Sequence, residues 1–419
     1  MERLYSPKSK EVFMTEENSD RKFNYIFGLI NLAVVFVIVW FLWYVFMNPD
    51  AVMKLYTPMY GFALIVVFLS GIILMANVVG YPALYDRQVT KPNPITKGII
   101  LTVIAFVVMI VLNYIVFWGF LGTLGIAYFS PDSIVASGGI GAEPFSAREN
   151  ASTAVVYYCT AFLWMALYWE LGVGRWPWQA NSLGVQVWSK LFAILFFVNI
   201  IYVILFHPHV CYLFYPAQTK AGVAPWWEGI TGTGSAFFSL GLILCTLVWI
   251  VFSSLLWDGK PWDRYEKNGE GNFGKAFVVF VATLTLGVIL MYILLKVFNY
   301  VWDEPFMGGQ YTDGPDWRCI HAGEIAGFFI LAAFIWKNYF NNFPNLQSTG
   351  LRALIRSVLV VVLGMLIYWF YFSPLATFFL ARVEGFAQPD DKPLVWALMF
   401  LSVILIQSEF FDGWPLKRK

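Results

Sequence analysis

Residues 322–344 read AGEIAGFFILAAFIWKNYFNNFP, a run of about twenty mostly apolar residues that closes on Asn342, Phe343 and Pro344. Asparagine tolerates the left-handed conformation that ends a helix, and a proline just beyond it cannot continue the helix. The run is therefore predicted to be a helix that stops at this tripeptide. Its length is also sufficient to cross the hydrocarbon core of a membrane.

Similar tripeptides close four other apolar stretches, and we call the five together the proline closings. The other four are Gly80-Tyr81-Pro82, Arg175-Trp176-Pro177, Gly259-Lys260-Pro261 and Gly413-Trp414-Pro415, and successive prolines are 95, 84, 83 and 71 residues apart. Because every second apolar stretch ends in this way, the sequence predicts five consecutive two-helix hairpins. Two origins stay open: internal duplication, or convergence on the Gly, Pro and Trp residues that membrane-surface helix ends favour.

The composition indicates that these helices cross a membrane. Hydrophobic residues make up 59% of the 419 residues and charged residues 13%, and the apolar runs are too long for barrel strands. The fold class is therefore predicted to be all-α, a polytopic membrane helical bundle with about ten transmembrane helices. These form a single transmembrane domain, 25–411, between a polar N-terminal tail, 1–24, and a basic C-terminus, 412–419. The predicted spans are 25–47, 58–79, 98–124, 152–171, 188–207, 232–257, 275–299, 322–341, 356–380 and 393–411.

The distribution of basic residues predicts the orientation. The two termini and the loops after spans 2, 4, 6 and 8, with the helix ends beside them, hold 20 of the 27 Lys and Arg residues. By the positive-inside rule, both termini and all five proline closings are expected in the cytoplasm, with a prokaryotic inner membrane as the expected location. No cleavable signal peptide is visible, so span 1 is expected to be an anchor. Nothing in the charge pattern suggests nucleic acid as a partner.

A candidate metal site lies at the predicted outer ends of spans 5 and 8. Imidazole and thiolate bind Cu, Zn or haem iron, although the spacing here matches no standard zinc motif. Two alternatives stay open: a disulfide between Cys211 and Cys319, or solvated side chains at the membrane surface. The candidate ligands are His207, His209, Cys211, Cys319 and His321.

A candidate substrate site lies where span 6 begins. A stretch rich in glycine and threonine at a helix N-terminus exposes backbone N–H groups to an anion, and such starts build substrate sites in transporters. The alternative is a glycine-rich turn, or small residues that allow close helix packing. The candidate residues are Glu228, Thr231, Gly232, Thr233, Gly234 and, near the outer end of span 8, Glu324.

The sequence lacks several signals that would point to particular functions. No ionisable residue lies near the centre of a span, so neither a proton relay nor haem deep within the bundle is predicted. No nucleotide-binding, HExxH or Gly-x-Ser-x-Gly motif is present, and an enzyme is not indicated. The ionisable residues closest to the membrane lie near span ends, where snorkelling or pairing is expected: Glu170, Glu324, Lys337, Arg382 and Glu409.

Two classes of function remain. The first is a permease for a small, weakly polar or anionic solute, which predicts a water-accessible cavity that reaches the middle of the membrane. The second is a membrane subunit of a multi-protein complex, with other membrane subunits or copies of this chain as partners, carrying the outer-face metal or haem site in one version. The spans poor in polar residues and the His/Cys cluster favour the second class.

Overall fold

A computed structural model describes residues 25–47, 58–73, 93–122, 129–138, 143–174, 176–178, 183–206, 236–266, 271–301, 315–380 and 393–415. Within these ranges the chain forms helices and turns, with no strand. Nine of the described helices are long and apolar enough to cross a membrane. The predicted all-α, multi-pass membrane bundle is therefore confirmed. The N-terminal tail, with residues 1–24, lies outside the described residues.

Ten helices, α1 to α10, correspond in order to the ten predicted spans. Five of them are α-helical throughout: α2 Pro58–Ile73, α5 Leu183–Leu205, α7 Phe273–Val301, α8 Pro315–Phe340 and α9 Thr349–Tyr371. The other five finish in π-helical turns, namely α1 Tyr25–Leu42 with Trp43–Met47, α3 Pro94–Ile110 with Val111–Leu121, α4 Pro144–Leu167 with Tyr168–Gly172, α6 Ala236–Val251 with Phe252–Leu256, and α10 Pro393–Leu405 with Ile406–Phe410. Shorter helices cover Pro131–Ser137, Trp262–Tyr265 and Pro374–Leu380.

Helix ends follow local capping rules where they differ from the predicted spans. Helix α4 begins at Pro144 instead of residue 152, because proline is favoured in the first turn, where no N–H bond is lost. Helix α9 begins at Thr349, capped by the Ser348 hydroxyl, which accepts a hydrogen bond from the N–H of Leu351. The stretch predicted as one span at 356–380 forms two helices, because Pro374 starts a new one after Tyr371.

The ten helices form two layers that alternate along the chain. In the most apolar windows of α4, α6, α8 and α10, 83% to 100% of residues are buried, and nearly all of Gly61–Ile73 in α2 is buried as well. In α1, α3, α5, α7 and α9 the same fraction is only 17% to 28%. The even-numbered helices therefore form the inside of the bundle, and the odd-numbered helices form its outer surface.

The inner helices close into a ring. Helix α2 packs on α4, α4 on α6, α6 on α8, α8 on α10, and α10 returns to α2. Four outer helices each contact at least two inner ones: α1 contacts α8 and α10, α3 contacts α2, α10 and α4, α7 contacts α6, α8 and α4, and α9 contacts α8 and α6. The arrangement is a five-membered inner ring inside an outer layer.

The four proline closings that the structure describes share one backbone geometry. After α6, α8 and α10, the residue two before the proline donates its N–H to a carbonyl six residues earlier, which is one residue wider than the bond of a Schellman motif. The residue three before the proline has a positive φ in all four, and all four X–Pro bonds are cis. These positive-φ residues are Gly174, Asp258, Asn341 and Asp412. Gly80-Tyr81-Pro82 lies outside the described residues.

Ion pairs join outer helices to the proline closings. We call the end of the bundle that carries the closings the proline end. Lys97 near the start of α3 forms an ion pair of 2.8 Å with Asp412, and Arg356 of α9 forms one of 3.1 Å with Asp258. Both aspartates stand three residues before a closing proline. Gly98 of α3 lies directly against the ring of Phe411, where any Cβ would clash with the ring. The closings after α6 and α10 thus each end an inner helix and position an outer one.

Substitution of a closing glycine is expected to destabilise the protein modestly. Gly259 has a φ of 83° and open space around it, so Gly259→Ala should lower the free energy of unfolding by about 1–2 kcal/mol through backbone strain alone. Gly259→Asn should cost less, because asparagine visits this conformation more readily. Gly350→Ala is the matched control, since Gly350 also has open space but an ordinary helical φ. Denaturant titration in detergent checks this, and an equal loss in both alanine variants would contradict it.

Candidate functional site: a cavity inside the helix ring

The predicted outer-face residues come together only in part. His321 Nδ1 lies 2.6 Å from Glu324 Oε2, one turn apart on α8, and both side chains are buried. A predicted metal ligand therefore contacts a predicted substrate residue. Cys319 is buried nearby on α8, whereas His207, His209 and Cys211 lie outside the described residues, as does one partner of the predicted disulfide. Within the part of the chain that the structure describes, no three His, Cys, Asp or Glu residues are grouped to hold a metal.

The predicted substrate stretch is not described either, but the helices that continue from it are closely packed. Glu228, Thr231, Gly232, Thr233 and Gly234 lie outside the described residues. Further along, Gly241 of α6 lies against the backbone carbonyl of Cys319 and against Gly323 of α8. Small residues allow two helix backbones to approach closely. The halves of α6 and α8 that lie away from the proline end are therefore in direct contact.

A cavity of about 80 Å³ lies between the inner helices in the other half of the ring, and we call it the axial cavity. All five inner helices line it. Its apolar wall is formed by Ile73, Leu163, Leu167, Leu171, Leu244, Leu247, Leu255, Gly327, Ile330, Phe334, Leu398, Leu401 and Leu405. On α8 it extends from Gly327, near the middle of the helix, to Lys337 at the proline end, which is about 15 Å of helix at 1.5 Å per residue.

Three charged side chains line the axial cavity at the proline end. Glu170 of α4 is neutralised by Lys190 of α5 at 3.1 Å, and both side chains are buried. Lys337 of α8 is exposed and forms neither an ion pair nor a hydrogen bond with any residue that the structure describes. Glu409 of α10 is half-buried, and its carboxylate attracts the Lys337 ammonium. Lys337 therefore lies at the rim of the cavity, at the proline end.

Hydrogen bonds hold the helix segments that carry these charges. The side-chain amide of Gln407, two residues before Glu409, donates to Asn31 of α1 at 2.9 Å and accepts from the hydroxyl of Tyr339 at 2.5 Å. Asn342 donates to the carbonyl of Leu255 at 2.6 Å, which joins the ends of α8 and α6. The rim of the cavity is therefore fixed by bonds among α1, α6, α8 and α10.

Breaking the buried ion pair between Lys190 and Glu170 is expected to lower the stability of the protein. Lys190→Met leaves the Glu170 carboxylate buried without its cation, and breaking such a pair costs about 3–5 kcal/mol. The double variant Lys190→Met with Glu170→Gln should recover most of this loss, because no uncompensated charge remains. Lys275→Met is the matched control: its partner Glu266 is partly exposed, and loss of that pair should cost about 1 kcal/mol or less. A double-mutant cycle in detergent measures the coupling, and additive losses would contradict it.

From the sequence, Glu170, Lys337 and Glu409 are expected near span ends, where their side chains snorkel or form pairs. A stronger signal was present, because Glu170 and Lys337 each stand seven residues before a closing proline, and Glu409 stands six before one. Nearly equal spacing from equivalent helix ends places these side chains at similar depths along the bundle. On α10, Leu398, Leu401, Leu405 and Glu409 recur every three or four residues, which is the spacing of one helix face.

The fold and the cavity define a class: this is a polytopic α-helical membrane protein whose inner helix ring encloses an apolar cavity with a charged rim. The chain matches no family model, and neither a curated protein nor a solved structure is significantly similar to it. The functional argument therefore depends on the geometry of the axial cavity.

Proposed function

We propose that the protein is a permease that moves a small, weakly polar or anionic solute along the axis of the inner helix ring. The observation that carries the proposal is the axial cavity, which all five inner helices line. Its length of about 15 Å is half the thickness of a hydrocarbon core of about 30 Å. Ligand sites within helical membrane proteins and bundles commonly lie between helices in this way.

The cavity would be one half of an alternating or gated pathway. Its apolar wall ends near Gly327, where the side chain of Leu394 lies close enough that a Cβ on Gly327 would be 2.6 Å from its Cδ1. A leucine side chain is flexible, so this contact is suited to a constriction that opens by a rotamer change. Closely packed α6 and α8 beyond it are expected to separate the cavity from the outer face.

The proposal includes the topology that gives the cavity its direction. Lys97, Lys190, Lys275 and Arg356 lie at the proline end, near the starts of α3, α5, α7 and α9. By the positive-inside rule this end, with both termini, faces the cytoplasm of a prokaryotic inner membrane, and the chain forms five consecutive hairpins. Fusion of green fluorescent protein or of alkaline phosphatase after Lys419 tests this. A fluorescent first fusion and an inactive second are expected, and the reverse would contradict the topology.

Flux through the purified protein is the direct test. Proteoliposomes would be assayed for uptake of neutral solutes, such as urea and glycerol, and of anions, such as acetate and nitrate, against protein-free vesicles. At least one solute is expected to enter faster with the protein present. Uptake equal to that of protein-free vesicles for every solute, at a confirmed protein density, would contradict a permease.

The second class, a membrane subunit of a larger assembly, is favoured by one observation. The buried contact between His321 and Glu324 lies away from the axial cavity, and a carboxylate that orients an imidazole is common beside metal sites. The native mass of the detergent-solubilised protein and its metal content separate the two classes. Stoichiometric further chains together with Cu, Zn or Fe would favour the assembly.

A further inference from the structure

We infer that the axial cavity binds a small monocarboxylate, with the carboxylate at Lys337 and the hydrocarbon chain along the leucine wall. The inference rests on the proposed function and names the solute class of the same cavity. Lys337 lies near the end of α8 and is exposed, but it also lines the axial cavity, and its ammonium group forms neither an ion pair nor a hydrogen bond with any described residue.

The charges around Lys337 leave it available to an anion. Glu170 of α4, which also lines the cavity, is already paired with Lys190 at 3.1 Å. Glu409 attracts the ammonium through space, but neither an ion pair nor a hydrogen bond joins Lys337 to any described residue. An ammonium provides three N–H donors, and charge-assisted bonds to a carboxylate are among the strong hydrogen bonds of proteins. One carboxylate can therefore bind beside Glu409 without displacing a native partner.

The wall of the cavity selects the rest of the ligand. Beyond the charged rim, the lining residues are leucine, isoleucine, phenylalanine and one glycine. A hydrocarbon chain loses contact with water there without leaving polar groups unpaired, whereas sugars, polyols and dianions would leave them unpaired. The volume of about 80 Å³ holds about five water-sized groups. That is close to the five non-hydrogen atoms of propionate, and it excludes a long acyl chain.

Calorimetric titration of the purified full chain in detergent tests this class. The probes are acetate, propionate, butyrate and octanoate, with butanol as the uncharged analogue and chloride as the anion without a chain. Affinity is expected to rise about fourfold per added methylene from acetate to butyrate, and to fall for octanoate, which exceeds the cavity. Butanol and chloride are each expected to bind at least about tenfold more weakly than butyrate, because each lacks one of the two interactions.

Variants of Lys337 separate recognition from folding. Lys337→Met should weaken butyrate at least about tenfold while leaving butanol unchanged, because a charge-assisted bond is lost. Lys337→Arg should retain most of the butyrate affinity, since the positive charge is kept. The matched control is Lys260→Met, an exposed lysine of the proline end that does not line the cavity, and it should bind butyrate as the wild type does.

The outcomes separate this inference from the proposed function. Equal butyrate affinity in the wild type and in folded Lys337→Met would overturn the inference, as would octanoate binding more tightly than butyrate, which would indicate a lipid-like ligand. Chain-length-independent binding, or chloride equal to butyrate, would also overturn it. If the binding pattern holds while no solute crosses proteoliposomes, the cavity is a carboxylate site and the permease proposal fails. If urea or glycerol crosses and no carboxylate binds, the permease stands and the inference fails.

Discussion

Gly327→Leu is expected to lower solute flux through the folded protein by about tenfold or more. Gly327 lies on α8 at the inner limit of the axial cavity, and the Cδ1 of Leu394 lies only 2.6 Å from where a Cβ of residue 327 would stand. A leucine there would add four carbon atoms to a cavity of about 80 Å³ that holds about five water-sized groups. Passage slows about tenfold for each 1.4 kcal/mol added to its barrier. We therefore expect the solute flux to fall by about tenfold or more.

The substitution is also structurally tolerable, which makes the flux result interpretable. The nearest atom to a new Cβ is the flexible terminal Cδ1 of Leu394 at 2.6 Å, and not a backbone atom. We expect a stability loss of about 1–3 kcal/mol from overpacking, with a monodisperse, folded protein in detergent. Gly350→Leu is the matched control, because Gly350 is exposed at the start of α9, away from the cavity. Flux in folded Gly327→Leu equal to that of the control would show that the solute does not pass the axial cavity.

Arg356→Ala is expected to destabilise the protein strongly. The guanidinium group of Arg356 is buried, and it donates to the carbonyls of Leu256 at 2.9 Å and Pro344 at 3.3 Å. It also bonds the side chains of Asp258 at 3.1 Å and Asn345 at 2.7 Å. One side chain therefore joins α9 to the closings after α6 and α8. Its removal leaves buried acceptors unsatisfied, and we expect a loss of about 3–5 kcal/mol.

A neighbouring arginine provides the control. Arg352, one turn earlier on α9, bonds the same Asp258 at 2.8 Å, but its side chain and that of the aspartate are partly exposed. Arg352→Ala should therefore cost about 1 kcal/mol or less. Arg356→Lys should recover little, because a lysine cannot reproduce the fork of donors. Thermal unfolding in detergent, followed by the fluorescence of the 19 tryptophans, measures all three. Similar midpoints for Arg356→Ala and Arg352→Ala would show that burial of the guanidinium contributes no stability.

The division of the helices into two layers is partly visible in the sequence as a difference in mean hydropathy. The inner helices α4, α8 and α10 have mean hydropathies of 1.3, 1.8 and 1.7, whereas the outer helices α1, α3 and α7 have 2.6, 2.9 and 2.7. Helices that face protein on all sides carry more small and polar residues than helices that face lipid. The signal fails for inner α6, whose mean hydropathy of 2.3 exceeds the 2.1 of outer α5 and the 2.2 of outer α9. Mean hydropathy alone therefore does not assign every helix to its layer.

The sequence by itself determined the helices and where they end. Hydropathy sets which segments can cross a membrane, and Asn342 or Gly413 before a proline ends a helix through local backbone conformation, without distant contacts. Only the tertiary structure decided that Glu170, Lys337 and Glu409 share one cavity, because they lie on three helices far apart in sequence. Which face of an evenly apolar helix turns inward depends on its neighbours, so the closed ring alone brings these charges together.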